Sequence, residues 1–121
     1  MKTIVGTYTE VNLLRAFAGE SQARTRYTVY AQVARKEGYE WIAQVFEETA
    51  ANEAVHAEEF LEHLQKLGGC APNIDLAAGY PFQLGTTAEN LQFAAHGELE
   101  EHDTAYPGFA EIARREGCDD T

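Results

Sequence analysis

The sequence predicts an all-α protein built on a four-helix-bundle plan with a long crossover, of which only three long helices fall within the 121 residues. The fourth helix is either missing or supplied by another chain. Three observations carry this prediction. Two proline-free stretches place apolar residues at helical spacing, a Gly- and Pro-rich stretch without period follows them, and a third periodic stretch repeats the first.

From about Thr9 to Glu37 there is one glycine and no proline, and Leu13, Ala16, Phe17, Ala23, Tyr27, Tyr30, Ala31 and Ala34 form one stripe. That pattern predicts a long amphipathic helix. After Gly38 a second stripe runs through Ile42, Phe46, Thr49, Glu53, His56, Phe60 and Leu67 to Gly68-Gly69, and the short joint makes the two helices antiparallel. Residues 68–85 hold four Gly and two Pro and read as the crossover to the far end of the bundle. Thr86 with Glu89 offers a capping box for a third helix to about Glu116, with Leu91, Ala94, Ala95, Glu98, Glu101, Phe109 and Ile112 as its inward stripe.

The chain also repeats itself. Asn12-Leu13, Ala16 and Gly19-Glu20 recur as Asn90-Leu91, Ala94 and Gly97-Glu98 at an offset of 78, and Ala34-Arg35-Lys36-Glu37-Gly38 recurs as Ala113-Arg114-Arg115-Glu116-Gly117 at 79. One residue is inserted in between, in the stretch that holds Pro107. A kink or π-bulge is expected near Tyr106, because a helix-interior proline removes a backbone donor. In the first copy Glu53 and His56 lie 15 and 18 residues after Gly38, so their counterparts would fall near positions 132 and 135, past Thr121. The duplicated plan is one helix short.

Composition narrows the function. With 20 Asp+Glu against 9 Lys+Arg the net charge is -11, which argues against nucleic acid or an anionic membrane as partner and leaves metal cations as natural ligands. The two cysteines, Cys70 and Cys118, form no CxxC pair, so no rubredoxin-type or zinc-ribbon module is present and a cytoplasmic location is expected. No leader pattern precedes Thr7, and no run reaches the roughly 20 apolar residues of a membrane span. The expectation is one soluble domain over residues 1–121.

Glu53-x-x-His56 places a carboxylate and an imidazole on one helix face, within an apolar stripe. Taken alone this is a metal-ligand pair, a buried ion pair or a solvent-facing edge, and Glu-rich helices produce the spacing by chance. The same anomaly occurs on every helix, however: Glu20 on the first stripe, Glu98 and Glu101 on the third. Four carboxylates directed at one interior repel one another unless cations lie between them. Ferritin-like bundles hold di-iron or di-manganese sites with such ligands, and oxygen-rich ligation suits iron or manganese better than structural zinc. Glu20 lies 18 residues before Gly38 and Glu53 lies 15 after it. Across an antiparallel pair that is a height difference of roughly 4.5 Å, so the two can share a metal.

Tyr27 and Tyr106 each sit about two turns from a carboxylate on their own helix and are placed either to hydrogen-bond a liganding Glu of a neighbouring helix or simply to pack. His63 reads as a core-edge histidine. His96 and His102 fall off the third stripe, and Glu58, Glu59 and Glu100 read as surface charge.

Asn12-Leu13-Leu14, Phe17 to Arg24, Ala34 to Tyr39, Phe46 to Ala50, Asn52-Glu53 and His56-Ala57, together with Thr87 to Leu91, Gly97-Glu98 and Tyr106-Pro107, closely resemble the rubrerythrin di-iron domain over essentially the whole chain. The resemblance implies a non-haem di-iron peroxidase that reduces hydrogen peroxide to water in oxidative-stress defence. By position it implies that Glu20 is a terminal ligand of one iron, Glu53 a bridging carboxylate, and His56 the imidazole toward which that iron moves on reduction. It likewise implies that Glu98 is a terminal ligand of the second iron, that Glu101 is the carboxylate the moving iron releases, and that Tyr27 and Tyr106 are supporting tyrosines.

Two parts of the family pattern are absent from the sequence: the last helix, with a second bridging Glu and a His, and the C-terminal rubredoxin domain. Electrons would then come from a separate rubredoxin or flavoprotein. A homodimer with exchanged helices would rebuild a four-helix core, although exchange cannot restore ligands that no chain carries. Manganese or zinc are alternative metals. The competing functions are a ferritin-like iron-binding or iron-oxidising protein, and a truncated fragment with adventitious metal and no turnover.

Overall fold

The computed structural model describes residues 7–66 and 73–117, apart from the side chain of His102. Among them every regular element is helical: α1 (Tyr8–Lys36), α2 (Glu40–Lys66), α3 (Thr87–Glu100), a π-helical turn (Glu101–Ala105) and α4 (Tyr106–Arg115). The last three follow one another without a break and form the third long helix. Among the described residues no helix is long and apolar enough to cross a membrane.

Each boundary has a local cause. Thr7 caps α1 by accepting from the Glu10 N–H at 3.2 Å. Gly38 ends α1 at φ 89°, where its N–H and that of Tyr39 return to the carbonyls of Arg35 and Ala34 at 3.1 and 2.8 Å. Gly117, at φ 77°, repeats this ending after α4. Thr86 and Glu89 form the reciprocal capping box expected of the third helix. The expected end of α2 at Gly68-Gly69 lies outside the described residues, as do Leu67, Cys70 and Cys118.

The inserted residue of the second repeat appears as the π turn directly before Tyr106. Glu20 and Tyr27 are seven residues apart and Glu98 and Tyr106 eight, and a π turn absorbs one extra residue without breaking the helix. Pro107 follows at the start of α4, where its missing donor costs least.

The helix α1 is central. It packs on α2 and, on another face, on α3 and α4, whereas the backbones of α2 and the third helix do not approach each other among the described residues. One core cluster joins Ala23, Tyr27, Tyr30 and Ala34 to Ala43, Phe46 and Ala50, with Phe93 and Ala94 against it. A smaller one joins Leu13, Leu64 and Ala113 near the other end. The described part of the crossover lies along α1: the Tyr30 hydroxyl donates to the Gln83 carbonyl and the Tyr80 hydroxyl to the Arg15 carbonyl, both at 2.8 Å.

The repeat is visible as reciprocal contacts. Glu116, after α4, accepts from the Thr9 N–H at 2.6 Å and from the Thr9 hydroxyl. Glu37, after α1, accepts from the Thr87 N–H at 2.8 Å and from the Thr87 hydroxyl. Each carboxylate thus satisfies a first-turn donor of the other long helix.

The inward stripe expected on the third helix holds in part: Ala94, Glu101, Phe109 and Ile112 are half-buried, whereas three of its residues are not. Leu91 is 44% exposed and Ala95 and Glu98 are exposed, while Phe93, outside the expected stripe, joins Ala94 against the core cluster. The first stripe is as read, with all its residues buried except Phe17, which is half-buried.

Candidate metal centre

The site forms at mid-height of α1, where α2 passes on one side and the end of α3 on the other. Antiparallel packing brings Glu20 of α1 level with Glu53 of α2, and one turn of helix carries His56 alongside Glu53. A ligand atom from each of the three lies within 4.8 Å of the others. His56 Nδ1 is 3.7 Å from both Glu20 Oε2 and Glu53 Oε2. The carboxylates are deeply buried, Glu20 at 3% and Glu53 at 6% exposure.

Glu98 and Glu101 join the other three around a cavity of about 350 Å3 that Glu59, Phe60 and Tyr106 complete. All five candidate ligands thus line one space. Two of them differ from the inward placement expected: Glu98 is exposed, and the His56 side chain is 52% exposed. Both border the gap between α2 and the third helix. Glu59, read as surface charge, is exposed and yet stands on the cavity rim; its position six residues after Glu53 gave no periodic signal. His63 is half-buried, and the exposed His96 lies 3.8 Å from Glu100.

Two tyrosines hold the carboxylates across helices. Tyr106 Oη donates to Glu20 Oε1 at 2.5 Å, and Tyr27 Oη donates to Glu98 Oε1 at 2.8 Å. Burial, reinforced by these bonds to carboxylates, pushes both tyrosine hydroxyls up, so they remain protonated donors. Tyr27 is itself braced by stacking on Phe46, by the edge of Tyr30, and by the Arg26 guanidinium 5.4 Å above its ring.

The electrostatics are those of crowded acids. Burial above all pushes the Glu20 carboxyl up, with Glu98 adding to the rise and the Tyr106 bond and His56 opposing it. Glu101 is pushed up to about 7, first by burial and then by the charges of Glu20 and Glu98, with Arg26 opposing.

The residues fit a metal. Glu20 Oε2 and Glu53 Oε2 are buried without a hydrogen-bond partner, and an orphaned carboxylate oxygen in an apolar interior is costly unless protonated or bound to a cation. Both orphaned oxygens face the same imidazole nitrogen. A donor set of four carboxylates and one imidazole suits iron or manganese.

Comparison with known proteins agrees with this geometry. A family model described as Rubrerythrin matches residues 11–121. The chain is 54% identical over 117 residues to a rubrerythrin of Porphyromonas gingivalis, covering 96% of this chain and 56% of that protein. It is 50% identical over 119 residues to a rubrerythrin of Clostridium perfringens, covering 97% of this chain and 60% of that one. Among solved structures, nigerythrin in its fully reduced, all-ferrous state superposes with a TM-score of 0.74 at 32% identity, over 96% of this chain and 58% of that chain. The fold is ferritin-like, and the chain spans somewhat more than half the length of the relatives it matches.

Proposed function

This chain belongs to the rubrerythrin family, and from that premise we propose that it is a non-haem di-iron peroxidase that reduces hydrogen peroxide to water in defence against oxidative stress. The observation that carries the reading is the convergence of Glu20, Glu53 and His56, with one orphaned oxygen on each buried carboxylate.

Glu20 would hold one iron, with Glu101 and His56 as the carboxylate it releases and the imidazole it gains on reduction; Glu98 would hold the other, and Glu53 would serve both. Manganese or zinc compete for the same donors. When bound, the iron pair supplies Lewis acidity and one electron per ion. The protein's own residues do the rest. Tyr106 and Tyr27 orient Glu20 and Glu98, and Glu101 stands on the cavity wall beside them. Peroxide takes two electrons and two protons and leaves as two waters. A separate rubredoxin or flavoprotein in the cytoplasm returns the electrons, and a homodimer with exchanged helices covers the open side of the site.

The test is anaerobic addition of stoichiometric peroxide to the ferrous protein, followed by absorbance. Rapid oxidation by two electrons per peroxide is expected; no oxidation would sink the peroxidase reading. The solvent-facing His56 and Glu98 favour a second reading, a ferritin-like iron-binding protein that oxidises iron with dioxygen. That reading predicts iron turnover with dioxygen and none with peroxide.

A further inference from the structure

A second cavity, of about 500 Å3, lies on the crossover side of α1. Its walls include Gly19, Tyr80, Phe93, Gly97, Glu101 and Tyr106. Glu101 and Tyr106 also line the metal-site cavity. Two side chains are therefore common walls of the two spaces.

Gly19 and Gly97 are counterparts in the repeat, each directly before a site carboxylate, but their surroundings differ. A β-carbon on Gly19 would meet the Tyr80 ring at 3.4 Å, whereas one on Gly97 would meet nothing within 4 Å. Tyr80 is fixed there by its hydroxyl bond to the Arg15 carbonyl. Gly97 is not required by backbone conformation, since the positive-φ glycines among the described residues are Gly38 and Gly117. Nor does a neighbour press on it. A helix-interior glycine costs about 1 kcal/mol relative to alanine, and what that glycine leaves behind here is open volume beside the Glu101–Tyr106 wall.

We propose that this cavity is a second entry to the metal centre, through which a small neutral polar molecule of the peroxide class reaches Glu101 and Tyr106 from the crossover side, with Gly97 keeping the passage open. The identity of the molecule rests on the peroxidase reading; the passage does not. The lining suits such a solute. Arg15 and Arg26 balance Glu100 and Glu101, so a neutral molecule meets hydrogen-bonding groups without a net field, whereas the metal-site cavity is lined by five carboxylates and one imidazole.

The experiment narrows the passage at Gly97 in the full chain and measures entry three ways. Gly97→Leu should slow both nitric oxide binding to the ferrous protein and oxidation by peroxide by about twofold, since the open side toward α2 still admits both solutes, with iron content and helicity unchanged. Unaltered rates in an iron-replete Gly97→Leu protein would overturn the proposal. In crystals of the metal-free protein under pressure, xenon should occupy the space between Gly97 and Tyr80 and be lost in Gly97→Leu; an empty cavity in the unsubstituted protein also overturns it. If Gly97→Leu does not fold or does not hold iron, Ala78→Phe fills the same cavity from the exposed crossover and is read by the same criteria. Should the unsubstituted ferrous protein ignore peroxide, the peroxidase reading falls, while nitric oxide and xenon still decide the passage.

Discussion

Tyr106 on the third helix donates to Glu20 on the first at 2.5 Å, and its repeat counterpart Tyr27 donates from the first helix to Glu98 on the third at 2.8 Å. The exchange is reciprocal although the spacing from Glu to Tyr differs by one residue between the copies. The π turn at Glu101–Ala105 makes up that difference. The same segment brings Glu101 to the cavity, so one insertion reconciles the repeat's register and adds a carboxylate that the first copy lacks.

The two tyrosines should not be equal in energy. Glu20 is buried and Glu98 exposed, and a buried acceptor stripped of its partner loses more than one that water can reach. Tyr106→Phe is expected to cost about 1–3 kcal/mol of stability in the metal-free protein. Tyr27→Phe should cost less than half as much. Urea unfolding of both variants checks the order, and equal costs would contradict the burial argument.

In the metal-free protein, pH should act opposite to the usual direction for carboxylates. Glu20 and Glu101 have folded-state pKa values raised above the ordinary 4.5, Glu101 to about 7. The folded state therefore binds protons more tightly, and the stability these groups contribute is present below pH 4.5 and lost as pH rises through about 7. Glu37, Glu40 and Glu111, held low by hydrogen bonds from Thr87, Arg35 and Arg114, act in the other direction at more acid pH, weakened by their exposure. The melting temperature should fall between pH 5 and pH 7.5, and Glu101→Gln should flatten that slope. Bound metal should reverse it, because metal competes with protons for the same oxygens.

The bridging role proposed for Glu53 predicts that Glu53→Ala abolishes binding at both metal positions. Elemental analysis of the purified variant is the measurement, and metal content equal to that of the unsubstituted protein would remove Glu53 from its bridging role. The loss of an orphaned buried oxygen should also leave the metal-free variant no less stable than its parent.

The π turn supplies slack that α1 lacks. Deleting the exposed Thr104 should return the third helix to regular α geometry and keep Tyr106 on Glu20, with the melting temperature moving by less than about 5 °C. Deleting the equally exposed Thr25 from the uninterrupted α1 should rotate Tyr27 off Glu98 and lower it by more than about 10 °C. Thermal unfolding by circular dichroism separates the two.

Much of this was legible in the residues themselves. Helical periodicity, Gly38 and the Thr86 capping box are local signals, and they located both ends of the first and third long helices and the start of the second to within one or two residues. The repeat, with its offsets of 78 and 79, located the π turn. The shared height of Glu20 and Glu53 followed from counting residues on either side of one tight turn. On the third helix periodicity includes Ala94, which packs, along with Leu91, Ala95 and Glu98, which are exposed, and it omits Phe93, which finds a neighbour in the core. Sequence alone therefore determined the elements, the kinship of the two copies and the set of acidic groups, all of which depend on near-neighbour spacing. Only the tertiary structure decided that α1 stands between the other helices, that His56 and Glu98 face solvent, and that each tyrosine reaches the other helix's carboxylate. Those outcomes depend on which faces meet across the chain, and a helical repeat is the same whichever partner covers it.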